Sequence, residues 1–497
     1  MEYVLGIDIG TGSVKAVAVN LLGQSLEVFQ QHYGFHVPQP GYHEQDVEEI
    51  WQAFVLSFKG IIAKMGRQPI AVGLSSAMHS LITLNENGEP LAPMMTWADS
   101  RSSDIAKKLR ASEEGIAIYV ETGTPLHAMS PLCKLLWIKI YNDELFVKTH
   151  KFISIKEYIW FKLFNEFVVD HSIASCTGLF NILKLEWHAD ALALAGITIQ
   201  QLSTPVPVEY TKTFNRIEGD AALNFLETGI PFIIGANDGC SANLGSMANK
   251  AGLAAMTIGT SGALRIASRQ PLPNKESMTF SYILDKETFI CGGPINNGGI
   301  ALQWWLKNNM VAELGEADYT NLFQQISTID AGSKGLIFLP YLTGERAPIW
   351  DSESCGVFFG VKLQHSQVHF SRAVVEGICY AMRDVLEAVE QNSEPIDEVI
   401  ISGGFAKSDV WVQILADITG KRLIIVQTED ASAVGAAFIG MKSLGLISDY
   451  PALDFKDLEI ILPDLNNAKV YSRNFGIYKQ LYLDLKPTMH NFSALNR

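Results

Sequence analysis

The opening residues carry apolar positions with the period of strands. Val4, Leu5, Ile7 and Ile9 suit a buried strand, and Gly10 to Ser13 a turn. Val14, Ala16 and Ala18 then set an alternation with Lys15 and Val17, and Leu21 to Gln24 forms another turn. From Asp46 to Met65 the period changes: Val47, Ile50, Trp51, Phe54, Phe58, Ile61, Ile62 and Met65 recur at helical spacing. Pro69 closes that segment, and residues 71–84 resume strand character. Residues 100–230 mix helices and loops. Residues 231–245 read as a strand, a glycine-rich turn and the start of a helix.

Residues 253–267 then repeat the opening layout. Ile9-Gly10-Thr11-Gly12-Ser13 has its counterpart in Ile258-Gly259-Thr260-Ser261-Gly262, each set between two apolar strands. The spacing further predicts a helix over Ser371–Glu390, a buried strand from Glu398 into Gly403-Gly404, a helix over Ser408–Ile418 and a strand over Leu423–Val426. The 497 residues exceed what one core supports. The expected architecture is two α/β halves facing each other across a cleft, 1–245 and 246–497.

Composition narrows the partners. A formal net charge of −15 repels nucleic-acid phosphates and anionic lipid, so neither nucleic acid nor membrane is an expected partner. The argument does not reach small anions, which a local pocket of amides can hold. The six cysteines are scattered without a CxxC pair, and read as small buried hydrophobes in a reducing compartment. The basic start of a signal peptide and an apolar run of membrane-spanning length are both missing from the sequence, which makes the cytoplasm the expected location.

A Gly-Thr-Ser turn between strands can aim several backbone amides at one point, a nest suited to phosphate oxygens. Either turn alone also reads as a plain hairpin turn; one in each half suggests two grips on a polyphosphate. Asp8, just before the first turn, could hold magnesium on those phosphates or merely cap the turn. Lys15 could neutralise phosphate or be a solvated strand lysine. Asp238, in GANDG after the run PFIIG, could take a proton from an attacking hydroxyl or sit in an ordinary Asp-Gly turn. Gly403-Gly404 admits a flat ring beside the backbone, or a simple strand–helix turn; Asn296-Asn297-Gly298-Gly299 is equally open.

LGIDIGTGSVKAV, MSPLCKLLW, TIGTSGALR and ISGGFAKSDVWVQILAD resemble the main signatures of the FGGY carbohydrate kinases, in the family's order and across nearly the whole chain. Just beyond the second of these segments the match departs: Ile140 and Tyr141 stand where the family has polar residues. The resemblance implies two actin-like, ribonuclease-H-like domains with ATP and sugar meeting in the cleft. It implies Asp238 as catalytic base and Asp8, with Asp238, as the carboxylates linked to Mg²⁺. Gly10, Thr11, Gly12, Ser13 and Lys15 match the first phosphate loop, and Gly259 and Thr260 the second. Gly299, Gln303, Gly404 and Ser408 match nucleotide contacts, although Ser408 stands where relatives often carry asparagine. Met78-His79 matches the sugar-contacting pair, with Asn237 and Asp238 completing the substrate set. SSAMHSLI, TWADSRS, INNGGI and YLTGERAPIWD are most similar to the gluconokinase branch and next to the xylulokinases, which implies D-gluconate, with D-xylulose as the alternative. Homodimers are common in the family. The rival from another class is an actin- or chaperone-like ATPase without a sugar substrate.

Overall fold

In the computed structural model, which describes residues 2–216, 221–309, 316–426, 430–453 and 455–495, the N-terminal apolar run becomes an inner strand of a six-stranded sheet. The sheet runs Thr211–Thr213, Pro231–Asn237, Ala71–Ser76, Val4–Ile9, Ser13–Val19, Ser25–His32. Val4–Ile9 pairs antiparallel with Ser13–Val19 and parallel with Ala71–Ser76, which pairs parallel with Pro231–Asn237. Parallel neighbours need a crossover, and the helix Val47–Met65 supplies the first. Asp46 caps it by accepting from the Glu48 amide, and Gly66 ends it in the left-handed region. Its stripe of Ile50, Trp51, Phe54, Phe58 and Ile61 is buried in one core with Leu5, Ile7, Val14 and Ala16. Five such side chains contribute on the order of 10 kcal/mol before the entropy of ordering is subtracted.

The opposite sheet face is covered by the helix Ala431–Ser443, which places Ala433, Ala437 and Phe438 in a core with Val4, Val17, Ala71 and Ile233. Backbone meets backbone there. A Cβ at Gly6 would lie 1.8 Å from the Ala433 carbonyl oxygen, one at Gly73 2.1 Å from that of Ala436, and one at Gly435 1.9 Å from that of Ser241. The small-residue run ASAVGAA is what this approach requires.

The chain divides into two units, each assembled from separated segments. Met1–Asn249 joins Ala267–Cys291 and Thr428–Leu453, while Lys250–Ile266 joins Gly292–Gln427 and Asp454–Arg497. The first unit thus takes back two segments from beyond position 245, which a single cut there does not express. In the second unit Leu253–Ile258 pairs antiparallel with the strand Gly262–Ser268 and parallel with Glu398–Ser402. Glu398–Ser402 pairs parallel with Arg422–Ile425, and Glu459–Ile461 adds an antiparallel edge. A hairpin followed by parallel crossovers, twice over, is the actin-like, ribonuclease-H-like layout the resemblance implies.

The repeat holds to the residue. Asp8 lies opposite Lys15 and beside Ser75; Thr257, at the same place in its strand, lies opposite Ala263 and beside Ser402. The Ser75 hydroxyl donates to Asp8 Oδ1 at 3.0 Å, and the Thr257 and Ser402 hydroxyls are 3.0 Å apart. Only the first of these two positions carries a carboxylate.

Several elements differ from the periodicity. The helix read from Ser371 begins at Gln367, and Ser408 is the cap of Asp409–Thr419 rather than its first residue. Segment 71–84 is two strands, Ala71–Ser76 and Ile82–Leu84, parted by His79 at φ 68°. The buried Lys134 ammonium holds that bend by donating to the carbonyls of His79 and Thr96. After Pro231 there is no glycine-rich turn. Gly235, at φ 67°, bulges the strand, which continues to Asn237, and the helix Asp238–Gly245 follows at once. All six cysteines are free thiols and five are buried. Among the described residues no helix is long and apolar enough to cross a membrane.

Candidate active site

The carboxyl end of the first sheet gathers the chemistry. The bulge at Gly235 sets the direction in which Pro231–Asn237 ends, so that Asp238 opens a helix with its carboxylate accepting from the Gly239 amide at 2.8 Å. A helix N-terminus favours the charged form of an acid. Asn237, which the resemblance counts among sugar contacts, is wholly buried. Its Oδ1 caps the helix by accepting from the Cys240 amide at 2.8 Å, and its amide donates to Ser172 Oγ at 2.9 Å. Its side chain therefore fixes where Asp238 stands. Behind it, Lys156 donates to the Ala236 carbonyl at 2.9 Å and pairs with Asp170, both fully enclosed.

Asp8 faces the same region. Burial, reinforced by the neighbouring Asp238 carboxylate, pushes its pKa up to about 7, against the Ser75 hydrogen bond and Lys15. Such a carboxylate has a strong electrostatic reason to take a cation. Asp8 and Asp238 present oxygen donors, as Mg²⁺ requires, so the residues fit a magnesium ion linked to phosphates.

The first Gly-Thr turn is braced from one side. Tyr33 donates its hydroxyl to the Gly10 carbonyl, Gln45 donates to the Thr11 carbonyl at 2.6 Å, and the Tyr33 amide donates to the Gly12 carbonyl at 3.2 Å. Trp97 donates its ring N–H to Thr11 Oγ1 at 2.9 Å, and Gln30 donates to Ser13 Oγ at 2.8 Å. With its carbonyls tied back, the turn is left to act through amides. A small pocket beside it is lined by Thr11, Met78, Ser80, Thr96 and Trp97, which brings Met78 to the first phosphate turn. His79 is buried; its Nδ1 donates to the Cys176 carbonyl at 2.8 Å, and its Nε2 shares a hydrogen bond of 3.3 Å with the Tyr282 hydroxyl. A carbonyl only accepts, so Nδ1 carries a proton.

The other expected residues belong to the second unit. The Gly259 and Thr260 carbonyls accept from Gly299 at 2.6 Å and from Gly298 and Ile300 at 3.2 Å, so the turn caps the helix Gly299–Asn309. The glycine pair has a steric reason. A Cβ at Gly298 would meet the Ser261 carbonyl oxygen at 2.6 Å, and one at Gly299 that of Gly259 at 2.8 Å. Gln303 is exposed one turn along. Gly403, at φ 106°, would bring a Cβ to 2.6 Å from the Ile258 carbonyl oxygen, whereas a Cβ at Gly404 would meet nothing within 4 Å. Ser408 Oγ accepts from the Trp411 amide at 3.3 Å as a helix cap.

Sequence reasoning missed Asp430. It precedes the helix Ala431–Ser443, and its carboxylate pairs with the Lys15 ammonium. The available signal was an acid directly before a run of small residues. It also missed the braces Tyr33, Gln45 and Trp97, and Glu345. The buried Glu345 carboxylate accepts from the Asn296 and Arg346 amides and from the Asn297 side chain, steadying the loop before Gly298.

Residues 3–245 match the FGGY family of carbohydrate kinases, N-terminal domain, and residues 254–444 match that family's C-terminal domain. The gluconokinase of Bacillus licheniformis is 40% identical over 458 residues, 90% of this chain and 89% of its own. The xylulose kinase of Staphylococcus xylosus is 29% identical over 499 residues, 97% and 100% of the two chains. The crystal structure of gluconate kinase from Lactobacillus acidophilus aligns with a TM-score of 0.91 at 31% identity, over 99% of both chains.

Proposed function

The chain belongs to the FGGY family of carbohydrate kinases, and on that premise we propose that it phosphorylates D-gluconate at the C6 hydroxyl, giving 6-phosphogluconate and ADP. As a carbohydrate kinase of this family it uses ATP as co-substrate. The observation that carries the choice of sugar is the 40% identity to a gluconokinase over nine-tenths of the chain, set against 29% to a xylulose kinase. The first unit supplies the acceptor chemistry. Asp238 receives the proton of the attacking hydroxyl as the new oxygen–phosphorus bond forms. Its helix N-terminus favours the charged form, and Asn237, Lys156 and Asp170 keep it in place.

Asp8 and Asp238 would hold Mg²⁺, which when bound offsets the negative charge of the phosphates. The amides of Thr11, Gly12 and Ser13, with Lys15, take phosphate oxygens on the first unit; the turn at Gly259-Thr260 does so on the second. Gly404, next to an open space, takes the nucleotide base, with Gln303 and Ser408 as further contacts. Met78 borders the sugar. His79, engaged through both nitrogens, shapes that pocket through its left-handed backbone. The division of labour is that residues 1–245 serve the sugar and carry the first phosphate loop, and residues 246–497 serve the nucleotide and carry the second.

An assay of ADP release with gluconate, xylulose, ribulose and glycerol tests this reading. Turnover with gluconate at least about tenfold above the others, in kcat/KM, is the expected result; one extra polar group held by a built site is worth that much or more. Strong turnover with xylulose and none with gluconate rejects it.

A further inference from the structure

Lys15 lies near two carboxylates, and its choice between them is informative. It stands directly across the strand pair from Asp8. Side chains so placed start about 4.5–5.5 Å apart at Cβ, which makes Asp8 the near carboxylate. The ammonium nevertheless pairs with Asp430, 415 residues away in the chain. Asp430 forgoes two ordinary advantages to be there. It occupies the cap position of Ala431–Ser443 yet makes no side-chain cap bond, and its φ is 67°. A cap bond stabilises a helix start, and the left-handed region strains a side-chain-bearing residue. The contacts of that helix at Gly6, Gly73 and Gly435 leave no room for it to drift. The Asp430 side chain is 10% exposed, so its charge is close to fully enclosed and specifically directed.

We propose that Asp430 is a positioning residue that draws the Lys15 ammonium off Asp8 and so keeps Asp8 open to a divalent cation. The proposal rests on the reading of Asp8 and Asp238 as cation-holding carboxylates. Without the Asp430 charge, the nearest anion for Lys15 is Asp8, and an ion pair there occupies the oxygen that a cation would use.

The test is a Mg²⁺ titration of the nucleotide-free protein, read as the rise of its unfolding temperature, alongside the Mg²⁺ requirement of phosphate transfer. Asp430→Asn should raise the apparent Mg²⁺ dissociation constant about tenfold, the scale on which outer partners of metal ligands act. Asparagine tolerates a left-handed backbone, so this variant should fold. Lys15→Met added to Asp430→Asn should bring the constant back toward the wild-type value, and Asp430→Glu should fall between. Both arms of the Lys15 comparison share any defect of the Asp430→Asn fold. Unchanged Mg²⁺ binding in Asp430→Asn, or no recovery on adding Lys15→Met, overturns the proposal. If Asp8→Asn binds Mg²⁺ as the wild type does, the cation-site reading fails too. If Asp8→Asn loses the ion while Asp430→Asn keeps it, only the role of Asp430 fails.

Discussion

Replacing Asp8 by asparagine should make the protein more stable while removing its activity. Folding moves the pKa of the Asp8 carboxyl from 3.8 to about 7, chiefly by burial and next by the Asp238 charge. The folded chain therefore binds this proton more tightly than the unfolded chain between about pH 4 and 7, and stability falls as pH rises through that window. A rise of that size costs about 4 kcal/mol at most above pH 7, and partial solvent access reduces this to about 2–4 kcal/mol. Asparagine removes the penalty and keeps an oxygen for the Ser75 hydroxyl. Without added Mg²⁺, Asp8→Asn should exceed the wild type by about 2–4 kcal/mol at pH 8 and lose that advantage near pH 4. Urea unfolding of both proteins from about pH 4.5 to 8.5 spans the window and reads the difference, with phosphate transfer assayed beside it. An advantage absent at pH 8, or equal at both ends of the range, would refute the reasoning.

Other substitutions probe different parts of the same frame. Asp238→Asn should lower kcat by about 10²–10⁴-fold, with ATP affinity, measured by calorimetry, within a few-fold of wild type; near-normal turnover would remove Asp238 as the base. Gly73→Ala should cost about 3 kcal/mol or more in unfolding experiments, because its Cβ would lie 2.1 Å from a backbone oxygen that has no freedom to move. Burial lowers the pKa of the Lys134 ammonium to about 7. The unfolded chain then holds more protons at this group above pH 7, so the wild type should gain about 2 kcal/mol on Lys134→Met between pH 7 and 9. A gap that is flat with pH would place that charge elsewhere.

What was legible in the sequence was what local period and turn chemistry express. The hairpin around Gly10–Ser13, its copy around Gly259–Gly262 and the stripe from Val47 to Met65 all announce themselves within about twenty residues, because each is decided by neighbours in the chain. Features set by distant partners stayed hidden. Gly235 looks like a turn glycine, yet it bulges a strand against the Leu74 carbonyl. Gly298-Gly299 invites a ligand reading, but at that place the backbone of the Gly259–Ser261 turn leaves no volume for a side chain. His79 matches a sugar contact by resemblance, while its ring is bonded to Cys176 and Tyr282, partners 97 and 203 positions on. Asp430 carries no pattern of its own, since its meaning lies wholly in Lys15.

The glycine contacts between Ala431–Ser443 and the strands at Gly6 and Gly73 have a consequence for synthesis. A ribosome makes the sheet early but cannot supply its covering helix until residue 443 has emerged, on the order of 20–90 s after the start at common elongation rates. From the completion of the sheet until then, Val4, Val17, Ala71 and Ile233 lack the covering helix on the nascent chain. Fragments that stop near residue 245 inherit the same bare face permanently, and should be recovered in inclusion bodies or bound to chaperones even though every strand of the six-stranded sheet is present in them.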